Sequence, residues 1–428
     1  MPPIVRGRHA GDSQPGDDRP RWEVADIFRL YGDTYRQRYG VSTAQQQVIA
    51  ALRACRPAQL GGHVERCPQC GFERYAYSSC RNRHCPKCQT WTTAQWVAAR
   101  HAELLATPYF HTGFTVPHAL NALVLGNKRP LLSLLFHAVS QTLLQFGKQN
   151  LHGQLGATLV LHTWDQTLNA HFPLHCLVPA GALAEDGTRW VPTQPRFLFP
   201  VQAFSTVFRA KCLTALQQAN RKETLGCAQE SAQRRSPAGF TNLLDQLYSQ
   251  AWVVYAKQPG AGPAQVLDYR GRSTHRIAIA NHRLRDVRNG CVCFTYRNRR
   301  QGNQVQTMSL EAHEFIRRFL LHVLPHGFQR LRHVGFLANR CKARALRQGR
   351  HLLGQAPEPP PREQPSAVEW RRQRTGIDLT QCPHCGYGPL VRQPLPLSHR
   401  PGAEPRGPPA APTGARHNLA LDASAPHL

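Results

Sequence analysis

The chain has 428 residues, with 53 Lys+Arg against 25 Asp+Glu, a formal net charge of +28. A hydrophobic fraction of 41% supports a sizeable core and argues against a wholly disordered chain; length suggests two or three domains. No apolar run approaches the ~18 residues of a membrane span, and the first residues lack a secretory h-region, so the expectation is a cytoplasmic protein that binds a polyanion, nucleic acid first.

In chain order, residues 1–20 read as a flexible arm. Val24, Ile27, Phe28 and Tyr31 share one helical face, and Gln45 to Leu52 forms a second helix capped by Ser42–Thr43. Residues 63–89 are a cysteine-rich module, followed by a helix over Thr92–Leu105. Tyr109–Pro117 reads as a strand rich in β-branched and aromatic residues, and Leu131–Phe146 as an apolar helix. Ala157–Trp164 and His171–Val178 read as an antiparallel hairpin. A surface loop over 228–239 precedes a helix over Phe240–Ala256. Ile277–Ala280 and Cys291–Tyr296 read as strands, with Asn289–Gly290 a turn whose residues tolerate positive φ. A helix over Glu311–Leu324 stops at Pro325. Residues 355–365 are a Pro-rich linker, and a disordered tail begins near Pro394. Helices mixed with antiparallel strands give an α+β class.

Cysteine carries the strongest local signal. With no secretion signal, disulfides are disfavoured. Cys67-Pro-Gln-Cys70 and Cys85-Pro-Lys-Cys88 are two C-x-x-C knuckles whose four thiolates suit one structural, tetrahedral Zn²⁺. Cys80, His84 and His63 are alternative ligands. Arg81 and Arg83, between the knuckles, suit phosphate contact. A lone knuckle, Cys382-Pro-His-Cys385, could close a site with His399 or Cys341.

These motifs resemble those of a known family. Gly61–Cys67 and Ser79–Gln89 are similar to the N-terminal zinc-binding domain of bacterial insertion-sequence transposases of the HUH-type, two-tyrosine rolling-circle group. The resemblance continues through Asn127–Arg129, Leu174–Leu183, Thr274–Arg283, Phe315–Pro325 and Arg332–Ala338. It implies a zinc-binding domain over 21–107 and an antiparallel-sheet nuclease domain flanked by helices over 108–345. Residues 346–428 then hold the linker, the lone knuckle and the tail. It also implies single-strand DNA cleavage and transfer at element ends, a divalent metal (Mg²⁺ or Mn²⁺) on a histidine pair, and a nucleoid-associated protein.

The family's metal motif is His-hydrophobic-His; here it reads Pro173-Leu174-His175. Alternating strand residues share a face, so His175 keeps its place while Pro173 replaces its partner. His171, on the same face but ~13 Å away along an extended strand, and His162 on the neighbouring strand are the substitutes; a register pairing Trp164 with His171 sets His162 opposite residue 173. The tyrosine motif reads Tyr269-Arg-Gly-Arg-Ser273, so Tyr269 matches the nucleophile and Ser273 stands at the second tyrosine. Nine arginines and one acid occupy residues 270–300. Arg270, Arg272, Arg276 and Arg283, with nearby aromatics, would line a single-stranded DNA groove. The rival expectation is a relative that binds DNA without cutting it.

Overall fold

The computed structural model describes residues 21–225, 236–257, 278–298, 301–356, 366–376 and 378–395. Its elements in order are α1 (Val24–Arg38), α2 (Thr43–Arg53), β1 (Gly62–Arg66), β2 (Glu73–Tyr77), α3 (Pro86–His101), β3 (Tyr109–Thr115), α4 (Asn121–Gly126) and α5 (Lys128–Leu151). There follow β4 (Gly153–Leu161), β5 (Pro173–Pro179), β6 (Gly181–Ala184), β7 (Trp190–Pro192), α6 (Val201–Arg221), α7 (Pro237–Ser249), β8 (Val253–Lys257), β9 (Leu284–Arg288) and β10 (Cys291–Asn298). The last are β11 (Gln304–Glu311), α8 (Ala312–Leu321), β12 (Leu331–Gly335), α9 (Lys342–Leu352), α10 (Ala367–Thr375) and β13 (Val391–Leu395). The class is α+β. No described helix is long and apolar enough to cross a membrane. The expected arm over 1–20, most of the loop over 228–239, most of the Pro-rich linker and His399 lie outside the described residues.

A seven-stranded antiparallel sheet, in the order β7-β6-β4-β5-β3-β8 with β12 also on β4, is the centre of the larger core. Strand alternation explains its two faces. Phe110 and Phe114 of β3, Leu174, Cys176 and Val178 of β5, and Val254 of β8 are buried in one cluster with α5 and α6. Phe114 meets Phe204 and Phe208 of α6 at ring separations of 5.8 and 5.1 Å, favourable aromatic geometry. Their sequence neighbours His111, Gly113, His175 and Tyr255 fall on the opposite face.

A second core joins the start of the chain to a segment far downstream. Val24, Ile27 and Phe28 of α1 and Val48, Ile49 and Leu52 of α2 pack with Phe294 of β10 and Phe315, Ile316 and Phe319 of α8. Phe28 and Phe319 make an edge-to-face pair at 5.3 Å. The expected cap on α2 is present: Ser42 Oγ accepts from Gln45 N–H, and Gln45 Oε1 accepts from Ser42 N–H.

Several boundaries differ from expectation for identifiable reasons. The helix expected from Thr92 begins at Pro86, because Cys85 is its N-cap and proline suits the first turn. The helix expected to run to Ala256 stops at Ser249; the β-branched and aromatic run Val253–Lys257 pairs with β3 instead. Asn289 and Gly290 do turn the chain, at φ of 50° and 74°. The strand they join to β10 is Leu284–Arg288, and residues 278–280, expected in a strand, are not in one. Pro394 and Leu395, expected at the start of a disordered tail, belong to β13, which pairs with β1.

Candidate metal centres and sheet-face site

The four cysteines expected around one ion do not share it. Among the described residues two quartets form, Cys55-Cys80-Cys85-Cys88 and Cys67-Cys70-Cys382-Cys385, each with its sulfurs within 4.8 Å of one another. Spacing identified the knuckles but not their partners. Cys85 and Cys88 meet Cys55, just past the end of α2, and Cys80. The Sγ–Sγ distances are 3.7 Å for Cys55–Cys88 and 3.6 Å for both Cys80–Cys88 and Cys55–Cys85. A tetrahedral zinc with ~2.3 Å bonds sets sulfurs about 3.8 Å apart, so the donor set fits Zn²⁺ in number, type and spacing.

Two alternative ligands, His84 and His63, stand in neither quartet. His84 is buried beside Cys85, but its Nδ1 meets Asn82 Oδ1 at 3.0 Å; burial, with Arg83, pushes its pKa down to about 3. His63 Nε2 lies 3.3 Å from Glu65 Oε1. Cys80 is the alternative that enters a quartet. The arginines between the knuckles differ as well. Arg81 is exposed, whereas Arg83 is turned inward and donates to the Phe328 carbonyl at 3.0 Å.

The opposite sheet face carries a second constellation. His175 Nδ1 lies 3.0 Å from the Tyr255 hydroxyl and 3.3 Å from His111 Nε2, and the Tyr255 hydroxyl is 3.3 Å from that same His111 nitrogen. Register explains the convergence: Gly113 of β3 is paired with His175 on one side and Tyr255 on the other. With no side chain there, the tyrosine ring lies across β3. A Cβ on Gly113 would sit 2.3 Å from that ring.

His162 completes the group. Leu161 pairs with Leu174, and His162 N–H donates to the Pro173 carbonyl at 3.0 Å. That hydrogen bond sets His162 opposite residue 173, as expected, although Trp164 bridges to Ala170 rather than His171. The His162 and His175 rings are 4.7 Å apart. His171, the other expected substitute, stacks on His118 at 5.6 Å. Neither His111 nor Tyr255 stands out as a site residue in the sequence. His111 was legible as strand alternation, two residues before a glycine on the same face; Tyr255 was hidden by its assignment to a helix.

Arg283 is built into the frame. Its Nε donates to the Thr295 carbonyl at 2.7 Å, its guanidinium donates to the Gln166 carbonyl at 2.6 Å, and it lies 5.6 Å from the Phe294 ring centre. It thereby ties the β9–β10 hairpin to the loop between β4 and β5. Tyr269, Ser273, Arg270, Arg272 and Arg276 lie outside the described residues.

Comparison with known proteins decides the family. Residues 27–116 match the family described as "Transposase zinc-binding domain", and residues 156–345 match the one described as "Putative transposase". The chain is 46% identical over 375 residues to "Putative transposase y4qJ" of Sinorhizobium fredii (strain NBRC 101917 / NGR234), covering 86% of this chain and 94% of that relative. It belongs to this insertion-sequence transposase family. A second relative, "Transposase for insertion sequence element IS801" of Pseudomonas savastanoi pv. phaseolicola, is 26% identical over 358 residues, covering 81% of this chain and 83% of the relative. No solved structure matches. Membership makes this transposase a DNA-binding protein of a strand-transferring enzyme family. Its +28 charge suits that partner.

Proposed function

We propose that this transposase cuts and rejoins single DNA strands on the sheet face that carries His111, His175 and Tyr255, with Tyr269 as nucleophile. The supporting observation is the triangle of His175 Nδ1, His111 Nε2 and Tyr255 Oη, with sides of 3.0–3.3 Å. Two ligands on one ion with ~2.1 Å bonds stand about 3.0–3.4 Å apart, so the histidine pair fits a shared divalent ion. His162 would join from the β4 side. The ion would be Mg²⁺ or Mn²⁺, as the family resemblance implies. The ion's contribution would be to polarise the scissile phosphate. The protein's contribution is to hold the histidines on a rigid sheet.

In the reaction, the Tyr269 phenol loses its proton and its oxygen attacks phosphorus. A 5′-phosphotyrosyl bond forms as the bond to the 3′ oxygen breaks, and that oxygen leaves as the 3′-OH after taking up a proton. Rejoining is the reverse.

The second reading, DNA binding without cutting, is favoured by Pro173 and Ser273 at the family's histidine and tyrosine positions. One assay separates the two. End-labelled single strands carrying the element ends are incubated with the protein and Mn²⁺. A covalent adduct that disappears in Tyr269→Phe and in His175→Ala supports cleavage; tight binding with no adduct supports the second reading.

A further inference from the structure

Two knuckles more than three hundred positions apart meet in space: Cys67 and Cys385 differ by 318 positions, Cys70 and Cys382 by 312. They have the same local fold. In Cys67-Pro-Gln-Cys70-Gly71, the Cys67 carbonyl accepts from Gly71 N–H at 3.1 Å and Cys67 N–H donates to the Phe72 carbonyl at 2.8 Å. In Cys382-Pro-His-Cys385-Gly386, the Cys382 carbonyl accepts from Gly386 N–H at 2.9 Å and Cys382 N–H donates to the Tyr387 carbonyl at 2.7 Å. Gly71 and Gly386 have φ of 71° and 73°, a region that disfavours residues with a Cβ. Each turn presents its two sulfurs to the other, with Cys67–Cys385 and Cys70–Cys382 both 3.6 Å apart.

The strands leaving the knuckles also pair. β13 lies antiparallel on β1, from Gly62↔Leu395 to Arg66↔Val391, and β2 lies on the other side of β1. Glu65 accepts from Arg74 of β2 and, at 2.8 Å, from Arg392 of β13. Arg74 also reaches the Leu379 carbonyl at 3.3 Å. This three-stranded sheet has little apolar interior of its own: Val64 and Ala76 are buried, but Val391 is 50% exposed. Units this small need a staple beyond their core.

We propose that Cys67, Cys70, Cys382 and Cys385 bind a second Zn²⁺, and that this ion is a clasp that holds residues 366–395 on the N-terminal zinc module. The family segments end at residues 116 and 345, so half of the ligand set lies beyond both. Four thiols supply the whole donor set, with no open position, so the role is structural. Binding releases protons: Zn²⁺ and four thiols give a tetrathiolate complex of charge −2 and four H⁺. No change of oxidation state is involved. The disulfide alternative would need the sulfurs at about 2.05 Å.

The test uses the full-length protein purified without added metal. Elemental analysis is expected to find two zinc ions per chain. Cys382→Ser/Cys385→Ser should lose one, keep the far-UV circular dichroism of the parent, and release the C-terminal segment to brief proteolysis. Replacement with Co²⁺ gives an independent reading: the thiolate-to-cobalt absorption should fall by about half in the double variant, as expected for one of two tetrathiolate sites. Unchanged zinc content in the double variant would overturn the clasp. So would a Cys67–Cys385 or Cys70–Cys382 disulfide in the alkylated, non-reduced parent.

Discussion

His175 and Tyr255 meet across an intervening strand: their side chains touch at 3.0 Å although neither strand pairs with the other, because the residue between them is Gly113. The absent side chain is what allows the contact. Gly113→Ala would put a carbon 2.3 Å from Tyr255 Cε1 and 2.6 Å from its hydroxyl oxygen, so the ring must move off. Overpacking of this kind costs about 1–3 kcal/mol. The cost should shrink when Tyr255→Ala is also present, since the obstacle is then gone. Urea unfolding of the parent, both single variants and the double variant measures the coupling; a cost of Gly113→Ala that is independent of residue 255 would show that the tyrosine ring is not the constraint.

Arg81 and Arg283 should behave differently toward DNA. Arg81 is exposed beside the first cysteine quartet, and Arg283 is consumed by two backbone carbonyls. Each phosphate contact to a single strand contributes about 0.7 to the slope of log affinity against log salt. Arg81→Ala is expected to lower that slope by about this amount. Arg283→Ala is expected to leave the slope unchanged and to lower the unfolding midpoint instead. Binding titrations across a range of NaCl concentrations, paired with thermal unfolding, check both.

What was legible in the sequence is what short stretches of chain decide for themselves. The apolar run of α5, the Ser42–Gln45 cap and the Asn289–Gly290 turn are local signals, and each stands near where it was read. The C-x-x-C knuckles are local too, since two sulfurs three residues apart can share an ion without reference to the rest of the chain. Which knuckle meets which distant pair depends on tertiary contacts. Cys55 has no cysteine neighbour in sequence and joins Cys85 only because α2 ends beside the start of α3. Tyr255 was lost for a related reason. Its segment continues an amphipathic helix without a Gly or Pro break, and pairing with β3 decides its state.

His322 gives the protein a stability that depends on pH. It is buried, its Nε2 donates to the Leu168 carbonyl at 3.1 Å, and its Nδ1 has no hydrogen-bond partner among the described residues. Burial pushes its pKa down to about 4; Lys128 lowers it further, while the bond to Leu168 and the charge of Asp165 oppose the shift. The unfolded chain, with a histidine pKa of about 6.5, therefore binds more protons than the folded one between those values. The contribution is complete above about pH 6.5 and is lost as pH falls toward 4, by at most about 1.4 kcal/mol per pH unit. His322→Gln keeps a donor for Leu168 and removes the titration. Its stability relative to the parent should improve steadily from pH 7 to pH 5; a constant difference would exclude His322 as the source. His333, also held at about 4 by burial and by Lys342 and Arg100, titrates in the same window in both proteins.

Pro173 stands where the family resemblance places a histidine, and the surrounding geometry says what putting one there should do. Residues 173 and 175 share a face of β5, and the Pro173 carbonyl already accepts from His162 N–H. In an antiparallel pair a residue's N–H and C=O point to the same neighbour. Pro173→His therefore adds an amide facing His162 without disturbing the existing bond, and adds an imidazole beside His175. The variant is expected to lower the Mn²⁺ concentration for half-maximal cleavage or binding by about tenfold or more, the scale seen when a metal site gains or loses support. Pro173→Ala, which restores the amide but adds no ligand, should not. If Pro173→His gains nothing over Pro173→Ala in a Mn²⁺ titration, the metal is not held on this face at residue 173.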